Sequence, residues 1–104
     1  MSTTVNVVAF ITPAPGKKAK ILEALLATAA KVQGNEPDAL IYEFYWDESH
    51  GQFVFVEKYK NMEAVVAHQK QPYFSELQAL GEAEGLLAGP IDARLVEHVG
   101  GFTR

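Results

Sequence analysis

Three segments of this chain read as β-strands with apolar residues on both alternating faces, and that double-sidedness constrains the fold more than any other feature. Thr4 to Thr12 is a β-branched and aromatic run. It sets Val5, Val7, Ala9 and Ile11 on one face against Val8 and Phe10 on the other. Ala39 to Trp46 sets Ile41 and Tyr45 against Leu40, Tyr42, Phe44 and Trp46, and Gln52 to Lys60 sets Phe53, Phe55 and Tyr59 against Val54 and Val56. A sheet with one face in water would show a polar residue at every second position. These strands need cover on both sides.

The segments between the strands change period. Pro13-Ala14-Pro15-Gly16 ends the first strand, because proline cannot donate to a ladder. From Lys17 to Gln33, Ala19, Leu22, Leu25, Leu26, Ala29 and Val32 recur at helical spacing, and Gly34 is the expected stop. Asp47 to Gly51 has the length and glycine of a hairpin loop. Asn61 is a good cap for a helix over 62–69, and Pro72 breaks that helix and opens another over Tyr73 to Leu80. Gly81 to Gly89 reads as a loop, Pro90 to Val99 as the last strand, and residues 100–104 as a loose tail. The order is β-α-β-β-α-β, the ferredoxin-like α+β arrangement with one antiparallel sheet. Right-handed crossovers put both helices on one side of that sheet. The other side is expected to meet a second copy of the chain around a two-fold axis, giving a homodimer with a barrel-like shared core.

With 104 residues the chain is expected to form a single domain over 1–104. Nine Lys and Arg against thirteen Asp and Glu give a net charge of −4, which argues against a sequence-independent grip on nucleic acid. No cysteine is present, so thiolate nucleophiles and thiolate metal sites are excluded. The N-terminal residues lack a basic region followed by an apolar run, and no stretch approaches the ~18 apolar residues that cross a membrane. A cytoplasmic protein that binds neither membrane nor nucleic acid is expected.

Few residues stand out as chemistry. His68 falls three residues after Val65 and four after Ala64, beside the apolar stripe of its short helix. Histidine is the commonest general base, and a half-buried structural histidine is the equal competitor. Glu57 is in register with Phe55 and Tyr59, and a carboxylate on an apolar strand face needs a partner. It would orient a histidine, or simply pair with a lysine. Asn6 interrupts the first strand, where its amide holds either a ligand oxygen or a loop backbone. Tyr73 and Phe74 follow the helix break, as cavity wall or as plain core. His50, His68 and His98 fall in a loop, a helix and a strand, with no pair at metal-ligand spacing. There is no glycine-rich phosphate loop and no nucleophile elbow.

The segment Phe53 to Phe74, Pro15-Gly16-Lys17 before the first helix, and Glu36-Pro37-Asp38-Ala39-Leu40 before the second strand together resemble the antibiotic biosynthesis monooxygenase domain family. The resemblance implies a dimeric α/β barrel. It also implies, as for some members, oxidation of a small phenolic or quinol substrate by O₂ with no flavin, haem or metal. On that resemblance Glu57 matches the strand glutamate and His68 the short-helix histidine, both catalytic, while Asn6, Tyr73 and Phe74 contact substrate. Many members carry a second histidine before phenylalanine, where this chain has Tyr73-Phe74. Haem-degrading relatives use an asparagine, a tryptophan and a histidine. Asn6 matches, but His68 stands at the tryptophan position and Gln78 near the haem-ligating histidine, so haem degradation is disfavoured. Two other functions stay open. One is isomerisation or breakdown of a small phosphorylated signal molecule, with Lys58, Lys70 and Arg94 as the available cations. The other is a non-catalytic, ligand-binding stress-response dimer.

Overall fold

The computed structural model describes residues 3–104. Seven elements follow in order: β1 (Val5–Ile11), α1 (Lys18–Asn35), β2 (Ala39–Asp47), β3 (Gln52–Tyr59), α2 (Met62–Gln69), α3 (Pro72–Ala83) and β4 (Asp92–Val96). The four strands form one antiparallel sheet in the order β2-β3-β1-β4. This is the expected ferredoxin-like α+β fold.

Several boundaries move, each for a physical reason. Gly34 does not stop α1; the helix runs on to Asn35, whose side-chain Nδ2 donates to the Lys31 carbonyl at 2.8 Å. Pro37 ends it instead, since the residue before proline is pushed out of the helical region. Glu36 is accordingly the last residue still bonded to the helix, its N–H donating to the Val32 carbonyl at 2.9 Å. Pro72 opens α3 as expected, but the helix continues through Gly81 to Ala83. β4 is shorter than Pro90 to Val99, because only Asp92–Val96 finds partners on β1. Asn61 caps α2, its Oδ1 accepting from the Ala64 N–H at 2.9 Å. The hairpin turn closes with the Gly51 N–H donating to the Asp47 carbonyl at 2.8 Å, Gly51 taking the left-handed φ of +62°.

The strand alternation decides where the core sits. Ala9, Ile11, Phe53 and Phe55 face the helices and pack with Ile21 and Leu25 of α1, Leu77 of α3 and Leu86 of the following loop. Phe44 stacks on Phe55 with centroids 4.7 Å apart, and Trp46 packs on Phe53 at 4.8 Å. The opposite face carries Ile41, Tyr45, Val56 and Val96, all exposed, with no helix over it. Among the described residues no helix is long and apolar enough to cross a membrane.

Candidate active site

Between the helix-side face of the sheet and helices α2 and α3 lies a cavity of about 90 Å³. Val7, Phe55, Val65, Phe74, Leu77 and Leu95 form its apolar walls. Polar side chains break that wall: Tyr42, Glu57 and Tyr59 from the sheet, and His68 and Gln69 from α2.

His68 is 5% exposed, and its ring is held by both its nitrogen and its faces. Nδ1 lies 2.9 Å from Oε1 and 3.0 Å from Oε2 of Glu36. The rings of Tyr42, Tyr59 and Phe74 surround it at centroid distances of 5.6, 5.3 and 5.5 Å. With Glu36 accepting from Nδ1–H, the lone pair falls on Nε2. Among the described residues Nε2 has no hydrogen-bond partner, yet no buried side-chain nitrogen or oxygen is left unpaired. Nε2 is therefore open to the cavity that His68 lines.

Glu36 holds a second donor, since the Tyr73 hydroxyl donates to its Oε2. Tyr73 thus spends its hydroxyl inside the protein, and burial together with Glu36 pushes that phenol well above the usual tyrosine range. Glu57 does not touch His68 through a hydrogen bond. Its Oε1 accepts from the Tyr59 hydroxyl. Burial raises the Glu57 carboxyl above the ordinary carboxylate range, and the hydrogen bond from Tyr59 pulls it back only in part. Tyr42 and Tyr59 are likewise pushed up, chiefly by burial, so both remain protonated donors.

The site residues expected from sequence divide accordingly. His68, Glu57 and Phe74 line the cavity. Asn6 does not, because it is one residue out of phase with Val7 and Ala9. It lies across from Lys58 and Val96 on the opposite sheet face. Tyr73 stands behind His68, bonded to Glu36, rather than offering its hydroxyl to a ligand. The partner expected for His68 was Glu57; the residue that fills that place is Glu36, which read only as part of a turn. Its one sequence signal is the Glu-Pro pair at the end of a helix. Tyr42 was also missed, because an aromatic in a strand reads as core. Gln78 lines a separate depression near Gly81 and Gly85. Among the described residues no group of three or more His, Cys, Asp or Glu is placed to hold a metal ion.

Comparison with known proteins agrees with this architecture. Residues 4–80 match the model of the antibiotic biosynthesis monooxygenase family, and the chain belongs to that family. An uncharacterized protein of Synechocystis is 33% identical over 82 residues, covering 78% of this chain. The chain spans only about half of that relative, 54% of its length. A Caulobacter crescentus protein assigned as an antibiotic biosynthesis monooxygenase superposes with a TM-score of 0.81 at 30% identity, over 95% of this chain and 92% of that one. A Pseudomonas aeruginosa protein gives a TM-score of 0.82 at 26% identity, over 96% and 98%.

Proposed function

We propose that the protein oxidises a small phenol or quinol with O₂, without a flavin, haem or metal, using His68 as the base. The observation that carries this reading is a histidine fixed at Nδ1 by a buried carboxylate while Nε2 faces an apolar cavity. The same division of labour orients histidine bases in general: the carboxylate sets the ring's tautomer and direction, and the other nitrogen moves the proton.

Closed-shell aromatics react slowly with triplet O₂, whereas their anions give up an electron readily. Nε2 takes the phenolic proton, the phenolate passes one electron to O₂, and the two radicals join in a C–O bond. His68 returns its proton to the distal peroxide oxygen. The hydrogen on the oxygenated carbon and the terminal O–H then leave as water, so one atom of O₂ ends in the new carbonyl and the other in water. Apolar walls protect the anion and the peroxide from bulk solvent. The cavity's small volume favours a compact ring over a polycyclic one.

A phosphorylated substrate meets no matching group. Arg94 is the one permanent cation among the described residues of the lining, and its register across from Val8 puts its guanidinium on the opposite sheet face, bonded to Asp92 at 2.5 and 3.1 Å. The test is oxygen uptake with a panel of quinols and phenols. Uptake that produces one water per carbonyl formed and is lost in His68→Ala is expected. Uptake unchanged in His68→Ala would remove the proposed base.

A further inference from the structure

Glu57 has two carboxyl oxygens in different situations. Oε1 takes the Tyr59 hydroxyl. Oε2 has no hydrogen-bond partner among the described residues, and because none of their buried side-chain oxygens is left unpaired, it opens to the cavity that Glu57 lines. The polar groups facing this carboxyl are Tyr59 from its own strand, Tyr42 directly across on β2, His68 from α2 and Glu36 from the end of α1. β1 offers apolar Val7 directly opposite, α3 contributes Phe74 and Leu77 to the cavity, and β4 Leu95. No lysine or arginine among the described residues faces it, since Arg94 lies across from Val8 on the opposite sheet face, where it pairs with Asp92. Two carboxyls beside one apolar cavity do not both ionise cheaply, and burial is the main influence that raises the Glu57 carboxyl, against the opposing hydrogen bond from Tyr59.

We propose that Glu57 Oε2 is a neutral hydrogen-bond donor to a substrate oxygen, making the site selective for compact uncharged molecules that carry a phenolic O–H and a second, accepting oxygen, and closing it to carboxylates and phosphates. The inference deepens the oxygenation reading and rests on it for one end of the ligand alone. His68 Nε2 takes the acidic O–H, and Glu57 reads the oxygen at the other end. Substrate charge is then the main discriminator, since an anion would meet Glu36 and Glu57 with no counterion.

The probes are 4-hydroxybenzaldehyde and its shape-matched anion 4-hydroxybenzoate, titrated by absorbance and calorimetry. The wild type is expected to bind the aldehyde at least about tenfold more tightly than the acid, a difference of roughly 1.4 kcal/mol. Its aldehyde affinity is expected to weaken as pH rises and Glu57 loses its proton. Glu57→Gln, which keeps a neutral donor, retains the aldehyde within about threefold and flattens that pH dependence, whereas Glu57→Ala loses about tenfold or more. Equal affinity for aldehyde and acid, no binding of the aldehyde, or a Glu57→Gln loss as large as that of Glu57→Ala would each overturn the proposal. The base reading fails separately: bound aldehyde should show the phenolate absorption band in the wild type and not in His68→Ala. Absence of that band with the Glu57 pattern intact would condemn His68 alone.

Discussion

His68 Nδ1 and Glu36 Oε1 lie 2.9 Å apart across 32 residues of sequence, and both side chains are buried. The contact exists because the turn after α1 is tied to the start of α2: the Lys60 N–H donates to the Asp38 carbonyl at 2.9 Å, one residue before the cap of the helix that carries His68. Glu36 is a positioning residue, with Tyr73 as its second donor. Glu36→Gln offers one acceptor oxygen where two donors converge, so the ring loses its fixed direction. Oxygen uptake should fall about 10–100-fold, by analogy with loss of the carboxylate that orients a metal-bound histidine. The pH–rate profile should shift while the far-ultraviolet circular dichroism stays unchanged. An unaltered profile would reduce Glu36 to packing.

Glu57 also makes the fold pH-dependent. Its carboxyl is raised in the folded state relative to an ordinary glutamate near pH 4.3. The folded state therefore binds the proton more tightly than the unfolded one. The stability from that proton is complete below about pH 4 and is lost as pH rises through the folded value. Glu57→Gln should consequently raise the melting temperature at pH 7–8, and the gain should vanish near pH 4. A gain that grew in acid would reverse the sign and the assignment. Thermal melts across that range measure it.

Much of the architecture was legible because local rules and the global fold agree. The two-residue alternation in β1, β2 and β3, the Asn61 cap and Pro72 at a helix start each act within a few residues. Gly34 misled because its intrinsic cost is only about 1 kcal/mol relative to alanine, less than the surrounding helical packing supplies. The last strand is shorter than its sequence suggests because only Asp92–Val96 pairs, across from Asn6 to Phe10 of β1. His68 was found from its place beside an apolar stripe. Glu36 was not, because nothing in its own neighbourhood distinguishes a turn glutamate from one that reaches a histidine on another helix. Asn6 shows the converse: a polar residue in an apolar strand drew attention, and strand parity put it on the far side of the sheet.

The Asn61 cap offers a test of how the short helix is held. α2 spans only Met62–Gln69, too short to be stable in isolation, and it delivers His68 to the cavity. Asn61→Ala removes the acceptor for the Ala64 N–H and should cost about 1 kcal/mol of folding free energy, read from urea denaturation. Asn61→Asp restores an acceptor at the same place and should recover most of it. A loss equal in both variants would locate the role of Asn61 elsewhere.

The uncovered sheet face carries the final prediction. Tyr45 is 56% exposed and Val56 42%, with Ile41 further along β2 and Val96 on the far edge strand β4 of the same face. At ~25 cal/mol per Å², burying such a face is a substantial driving force, and a stable pairing typically covers about 1,600 Å² in total. A second copy packed sheet to sheet supplies that cover by symmetry, each face meeting its own image. The wild type should therefore sediment as a dimer at micromolar concentration. Val56 lies between Val8 on β1 and Glu43 on β2, near the middle of the face. Val56→Glu would set a second carboxylate beside Glu43. Within one subunit this costs about 0.2–1 kcal/mol. Across the two-fold axis it would add carboxylates to a face that already holds Glu43 in each copy, so the dimer should dissociate while the subunit stays folded. Val56→Thr keeps the β-branched shape with one hydroxyl and should weaken the dimer far less. A monomeric wild type would overturn the pairing.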